Sequence, residues 1–408
     1  MTYVLSYDFG TGGIKASLFD EAAVSHGFVF REYPTYYPAP HFREQRPDDW
    51  WEAFRGSTKE LLSRSGVSAS DVAALSISGH SLGVVPIARN GSLLTERTPI
   101  WSDQRAGREA AAFFRSVDER VWYEETGNGF PVATYSIFKI MWFREHFPAL
   151  YEKTVCFLGT KDYINFRLTG RAVTDHSYAS GCGAYDLSRH TYDEMLLRAA
   201  GIPMEKMPPI VDATEVIGRL TKDAAAELSL PEGIAVMAGG VDNMCMALGA
   251  GCFRNGDSYL SLGTSSWIAV AGETPILSFD KRPYVFAHYH KGLYVSSTCI
   301  FAAGSALQWA KQTLGKNVED YRALDELAAS SPAGANGLLF NPSLAGGSSL
   351  YASTEVRGGF CGLDLKHTQA DVMRACLEGI ALDLRIALDV LREKSDLNPE
   401  MLISGGGS

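Results

Sequence analysis

The chain opens with an alternation that breaks and resumes. Val4–Phe9 and Ile14–Phe19 are apolar-rich runs of strand length, and the residues between them, Gly10-Thr-Gly-Gly13, are turn formers. The pattern predicts two paired strands, with Ser25–Tyr33 as a third. YPTYYPAP (33–40) holds too many prolines for a helix or central strand and is expected as an ordered surface loop. Asp48–Leu62 has helical periodicity, with Trp50, Trp51, Phe54, Leu61 and Leu62 recurring on one side. Val72–Ser78 is a short apolar run of the buried-strand type, and its end runs into Ser78-Gly-His-Ser-Leu-Gly83. Lys139-Ile-Met-Trp-Phe-Arg-Glu-His146 is expected as an amphipathic helix packing its Trp142 face. Residues 203–218 look like an irregular connection.

The second half repeats the order of the first. A strand at Ile234–Ala238 leads into Gly239-Gly-Val-Asp-Asn243 and an apolar helix. Tyr259–Val270 (YLSLGTSSWIAV) is again strand, Gly-Thr turn and strand, and Leu293–Ser297 follows as a further strand. Thr368-Gln-Ala-Asp371 has the form of a capping box. Behind it, Met373, Leu377, Ile380, Leu384, Leu388 and Leu391 share one face of a helix of about 24 residues, roughly 36 Å long. Leu402-Ile-Ser-Gly-Gly-Gly-Ser408 is a strand feeding a glycine turn.

Composition narrows the field. With 408 residues, two or more domains are expected. The net charge is −10 and no basic run occurs, which argues against nucleic acid or an anionic membrane as partner. No apolar run approaches the ~18 residues of a membrane span, and the first residues lack a basic leader, so a cytoplasmic protein is expected. Seven scattered cysteines with no C-x-x-C pair suggest free thiols rather than a disulfide framework or zinc site.

Candidate chemistry centres on the two Gly-Thr turns. In Asp8-Phe-Gly-Thr-Gly-Gly-Ile-Lys15 the glycines let backbone N–H groups approach phosphate oxygens. Gly10, Thr11 and Gly12 can supply donors, and Lys15 a charge. Asp8 is itself acidic, so its role would be to hold Mg²⁺ through water. The competing reading is an ordinary hairpin turn, which the echo at Gly263–Ser266 weakens. The pattern G-x-x-x-x-G-K-[ST] is absent, so the P-loop fold is not indicated. Asp242 has two roles open to it, helix N-cap or general base for an alcohol. His80, Ser81 and Leu82 in one loop, and Asp103 in Trp101-Ser-Asp-Gln-Arg105, are placed as sugar ligands. The alternatives are a structural histidine and an Asp103 ion pair with Arg105 or Arg108. Gly405, Gly406 and Gly407 could lie flat against an adenine.

Taken in order, DFGTGGIK, SGHSLG, IWSDQR, FKIMWFREH, KDYINFRLTG, AGGVDN, LSLGTSS, RACLEGIA and ISGGGS resemble the FGGY family of carbohydrate kinases, over essentially the whole chain. The resemblance implies an α/β protein of two RNase-H-like, actin-like ATPase domains with a cleft between them, divided as 1–240 and 241–408. Its cofactors would be ATP and Mg²⁺, its partners a small-molecule sugar and ATP, with a homodimer admitted. Asp242 matches the general base; Asp8, Gly10 and Thr11 match the first phosphate loop; Gly263 and Thr264 match the second. Asp103 matches a sugar-binding carboxylate, and Gly405 to Gly407 the start of the adenosine motif. The spacing is most similar to the xylulokinases of the family, which implies phosphorylation of D-xylulose to D-xylulose 5-phosphate. Ribulose, fuculose, gluconate and glycerol are alternatives, as is a non-catalytic binding form. Two departures stand out. Xylulokinases commonly show Gln-Met-His-Gly where His80-Ser-Leu-Gly83 stands here, and family members usually continue beyond the final glycines, so the second domain is expected to be incomplete.

Overall fold

The computed structural model describes residues 2–351, 353 and 355–407; Ser408, the last residue of ISGGGS, lies outside them. Two compact units emerge. One comprises Met1–Asn128, Val132–Met246 and Phe286–Lys291; the other comprises Gly129–Pro131, Ala247–Val285 and Gly292–Ser408.

The first unit is built on a seven-stranded sheet. Its strands run in the order Ser25–Glu32, Gly13–Asp20, Tyr3–Phe9, Val72–Gly79, Ala235–Met237 and Val216–Arg219, and the short strand Gly240–Val241 also pairs with Val72–Gly79. Tyr3–Phe9 pairs antiparallel with its hairpin partner and parallel with Val72–Gly79. A crossover of that kind needs a long connection, and the helix Pro47–Ser65 supplies it. Pro47 opens the helix, Asp48 and Asp49 sit in its first turn, and Gly66 at φ 68° closes it. Trp50, Trp51, Phe54 and Leu61 are buried in one core with Leu5, Tyr7, Phe9 and Leu75 of the sheet. The periodicity of this helix therefore reports its buried face correctly.

Two segments differ from the sequence expectation. The helix Ser136–His146 is buried on every side through Phe143, and only its last turn reaches the surface. Phe138 packs edge-on against Phe113, and Lys139 itself is fully buried. The helix is thus enclosed rather than amphipathic, and the cation in its middle, Lys139, points inward. The connection 203–218 carries more order than its prolines indicate. Ile210–Val211 pairs parallel with Thr174–Asp175, and Val216–Arg219 forms a sheet edge. Such short strands are held by long-range pairing and leave no periodic signal. The proline-rich loop behaves as expected, tied down by reciprocal backbone bonds between Tyr36 and Glu44.

The second unit reuses the strand order. Ser258–Leu262 pairs antiparallel with Ser266–Gly272 and parallel with Leu402–Ser404, and Ser266–Gly272 pairs onward with Tyr294–Ile300. The helix Gln369–Arg392 buries Met373, Ile380 and Leu391 in this unit's core, while Leu377, Leu384 and Leu388 pack partly buried against it. Its N-terminus is the expected capping box, with Thr368 and Asp371 bonding reciprocally. Among the described residues no helix is long and apolar enough to cross a membrane.

Candidate active site

Three strand ends of the first unit define the site. Asp8 on Tyr3–Phe9 lies opposite Ser78 on Val72–Gly79, and Ser78 lies opposite Gly240. The chain leaves these ends as the Gly10 loop, the His80 loop and Asp242. Parallel strands thus deliver three separated sequence motifs to one sheet edge, where ligands of open α/β sheets are held.

Asp8 Oδ1 accepts a hydrogen bond from Ser78 Oγ at 3.0 Å. Its other oxygen has no protein partner among the described residues, and the residue is exposed at the strand end. Loss of surrounding water raises its pKa, against the lowering effects of Ser78 and Lys15. Lys15 is Asp8's cross-strand partner, and its Nζ lies over the Phe28 ring, 4.8 Å from the centroid.

Asp242 begins the helix Asp242–Gly249, directly after the strand Gly240–Val241. Its Oδ1 accepts from the N–H of the next residue, Asn243, at 2.8 Å, not from the second or third N–H that a helix cap would bind. The other oxygen has no protein partner among the described residues, and the residue keeps part of its exposure. Burial pushes its carboxyl up to about 7, and the Asp8 charge adds to the effect. One oxygen fixed, one open and a pKa near neutrality suit a proton acceptor.

The Gly10–Gly13 turn is held by side chains that sequence inspection did not single out. Gly10 N–H donates to Gly13 O at 3.0 Å, and the buried Tyr33 hydroxyl donates to Gly10 O. Gln45, fully buried, donates from Nε2 to Thr11 O at 2.7 Å and accepts from Trp50 Nε1 at 2.9 Å. Trp101 Nε1 donates to Thr11 Oγ1 at 2.8 Å. Tyr33 and Gln45 flank the proline-rich loop, whose only sequence signal was its prolines.

The residues expected on the sugar side occupy two loops joined by a lysine. His80 N–H donates to Phe9 O at 3.0 Å, and its imidazole is 1% exposed, edge-on to Trp50 and 3.3 Å from Thr160 Oγ1. Burial lowers its pKa to about 4, which keeps the ring neutral. Ser81 is buried; Leu82 has φ 61°, and its Cδ2 comes close to Gly181. Asp103 is 0% exposed and saturated by protein donors. Oδ1 accepts from Arg105 N–H and Nε, and Oδ2 from Arg43 N–H and Arg105 Nη2. The Arg105 ion pair weighed as an alternative is therefore present, and a sugar hydroxyl reaching Asp103 has to share an oxygen already bonded. Lys139 Nζ ties both loops together, donating to Leu82 O at 3.0 Å and Ile100 O at 2.7 Å. Burial drops its pKa to about 7, opposed by the Asp103 charge. Lys139 was legible as a letter of FKIMWFREH but not as a brace.

In the second unit the Gly263–Thr264 turn and the final glycines meet. Gly407 N–H donates to Leu262 O at 3.0 Å, beside the start of the turn. Gly304 N–H donates to Gly263 O at 2.9 Å, and Ala303 and Ser305 N–H groups donate to Thr264 O. The helix Gly304–Thr313 thus begins at the turn. Gly405 to Gly407 and Gly263 to Thr264, 141 positions apart in sequence, form one local surface.

Comparison with known proteins matches this architecture. The model for the N-terminal domain of the FGGY family of carbohydrate kinases covers residues 3–249, and that for its C-terminal domain residues 258–408. The chain belongs to the FGGY family of carbohydrate kinases. It is 31% identical to the xylulose kinase of Bacillus subtilis (strain 168) over 408 residues, covering 100% of this chain and 81% of that one. Among solved structures, the xylulose kinase from Rhodospirillum rubrum is 33% identical with a TM-score of 0.91, covering 99% of this kinase and 82% of that chain. Gluconate kinase from Lactobacillus acidophilus is 25% identical with a TM-score of 0.93, covering 99% and 81%. The α/β fold expected from the sequence is the fold of these kinases.

Proposed function

We propose that this kinase transfers the γ-phosphoryl group of ATP to a hydroxyl of a ketopentose, D-xylulose first among them. The placement of Asp242 carries the reading. It stands at the sheet edge beside Asp8, with one oxygen pinned by Asn243 and the other open, at a pKa raised to about 7. Asp242 accepts the proton of the attacking hydroxyl, whose oxygen displaces ADP from the γ-phosphorus. The backbone N–H groups around Gly10, Thr11, Gly12, Gly263 and Thr264 offer donors to phosphate oxygens, and Gly405 to Gly407 leave room for the adenosine. Lys15 adds positive charge beside Asp8.

The unpartnered oxygen of Asp8 fits a Mg²⁺ site reached through water. When bound, the ion neutralises charge building on the phosphates. His80, Ser81, Leu82 and Asp103 shape the sugar side, with Lys139 fixing the loops. The sequence similarity to xylulose kinases supports D-xylulose as substrate. The likeness to a gluconate kinase favours D-gluconate as the second reading, and the apolar Leu82 leaves the acceptor less restricted than a histidine there would. On this reading the enzyme acts on small molecules in the cytoplasm, and light scattering would read whether it forms a homodimer.

The deciding experiment is ADP release with D-xylulose, D-ribulose, D-gluconate and glycerol, on the wild type and Asp242→Ala. D-xylulose should give the highest kcat/KM, and Asp242→Ala should lower kcat by roughly 10²–10⁴. Near wild-type turnover in Asp242→Ala would sink the base assignment. ATP binding without sugar-stimulated ADP release would point to a non-catalytic form.

A further inference from the structure

The helix Thr160–Thr169 carries the KDYINFRLTG motif, which the phosphate and sugar sites leave unused. Lys161 is wholly buried. Its Nζ donates to Asp162 Oδ1 at 2.6 Å and forms an ion pair with Asp175 Oδ1 at 2.8 Å. One ammonium and two carboxylates taken out of water cost several kcal/mol per ion, and their mutual attraction often no more than offsets that. Stability alone is thus a weak reason for such a cluster, and its contacts indicate what it holds.

They converge on the segment before Asp242. Lys161 Nζ lies 3.3 Å from Ala238 O, which also accepts from Asn165 Nδ2 at 2.8 Å. On the other side, Asp175 Oδ2 accepts from both the N–H and the hydroxyl of Ser177. Ser177 Oγ, its proton committed to Asp175, accepts from Val241 N–H at 3.0 Å. The bonds therefore converge on Asp175, from Val241 through the Ser177 hydroxyl on one side and from the Lys161 ammonium on the other, so that one carboxylate joins the two.

The segment it grips needs gripping. Gly239 has φ 68°, and a Cβ there would lie 1.9 Å from Ile77 O, so no other residue fits. Two consecutive glycines allow the broadest backbone freedom one residue before the carboxylate is aimed. Gly239 N–H donates to Ala213 O and Gly240–Val241 pairs with Ser78–Gly79; the bonds from the cluster add a hold on the two flanks of the glycine pair, at Ala238 and Val241.

We propose that Lys161, Asp175 and Ser177 form a positioning relay that fixes the Gly239–Val241 backbone and so aims Asp242 at the substrate hydroxyl, with Ser177 as its last member. The relay touches neither substrate nor nucleotide, and it rests on Asp242 being the base.

The test is Ser177→Ala with Asp242→Asn as reference, both assayed for kcat, for KM of D-xylulose and ATP, and for thermal stability. A misplacement of the base by an ångström or less is expected to lower kcat about ten- to thirtyfold. The two KM values should stay within about twofold, because the phosphate and sugar loops are held by other groups. A kcat within twofold of wild type in folded Ser177→Ala overturns the relay, even where the melting temperature falls. If Ser177→Ala does not fold, Ser177→Cys keeps the shape with a weaker acceptor and should show the same kcat-specific loss at smaller size. Loss of activity in Asp242→Asn with normal kcat in the serine variant removes the relay alone. Activity retained in Asp242→Asn removes the base assignment and the relay together.

Discussion

The two Gly-Thr turns share a sequence pattern and a hairpin, yet they are built differently. The first is braced by side chains: Tyr33 on Gly10, Gln45 and Trp101 on Thr11, and Ser78 on the neighbouring Asp8. The second is braced by backbone: the N–H groups of Ala303, Gly304 and Ser305 close on Gly263 and Thr264 carbonyls as a helix begins. The first also stands beside two carboxylates, Asp8 and Asp242, whereas Gly263, Thr264, Gly304 and Ser305 have no titratable side chain. A recurrent motif therefore fixes the shape of a loop without fixing what holds it. The two turns should fail to different substitutions and respond differently to pH.

The largest effect is expected where backbone meets backbone. A Cβ on Gly304 would lie 2.6 Å from Gly263 O, with no flexible side chain to give way. Gly304→Ala should cost about 3 kcal/mol through overpacking. It should raise the KM for ATP at least tenfold while leaving the KM for sugar nearly unchanged. A variant with wild-type ATP affinity would mean that the turn tolerates displacement, and the contrast between the turns would lose its basis.

The first turn should be vulnerable instead to loss of a side chain. Gln45→Ala leaves the Trp50 indole N–H and the Thr11 carbonyl without their partner in a dry setting. About 2 kcal/mol of destabilisation is expected, since an unpaired buried polar group costs roughly 1–3 kcal/mol. Chemical denaturation reads this directly. Gln45→Glu, which keeps an acceptor for Trp50 but removes the donor to Thr11, should recover part of the stability and little of the ATP affinity. Equal recovery of both would show that Thr11 does not need the brace.

Much of this was legible in the sequence, for identifiable reasons. The hairpins, the crossover helix with its Trp50–Phe54 face and the Thr368–Asp371 capping box are set by local periodicity and local bonds, and local signals survive in sequence. Asp8, Asp242 and the glycine turns stood out in the sequence because the expected chemistry calls for those residue types, and the structure brings Asp8 and Asp242 to one sheet edge. Tyr33, Gln45, Lys139 and the Lys161–Asp175–Ser177 cluster were not. Each acts on a backbone atom 23 or more positions away, and nothing in the flanking residues marks a side chain that will reach a distant carbonyl or N–H. Lys139 misled for a related reason: a cation in an apolar helix is ordinarily the solvent face, whereas here two backbone carbonyls solvate it. Asp103 was read for its carboxylate, and its saturation by Arg105 and Arg43 depends on loop geometry that spacing does not contain.

The smallest expected effect separates the turns by pH. The Asp242 carboxyl has a native pKa near 7, above its ordinary value of about 4. Between those values the unfolded chain releases the proton while the native state keeps it. The group's contribution to stability is therefore full below about pH 4 and lost as pH rises through about 7. Asn imitates the protonated form without titrating. Asp242→Asn should match the wild type near pH 4 and exceed it at pH 8 by about 1 kcal/mol, a rise in melting temperature of about 2 °C; partial exposure of the residue keeps the gain below what a sealed carboxyl would give. If Asp242 is the proposed base, the same substitution should cut turnover, so that stability and activity move in opposite directions at one atom. Gly304→Ala supplies the contrast: with no titratable side chain among the residues that close the second turn, its penalty should be equal at pH 5 and pH 8. A pH-independent gain in Asp242→Asn would mean that the carboxyl is charged throughout this range in the folded protein, and that the first turn's acidic surroundings do not distinguish it from the second.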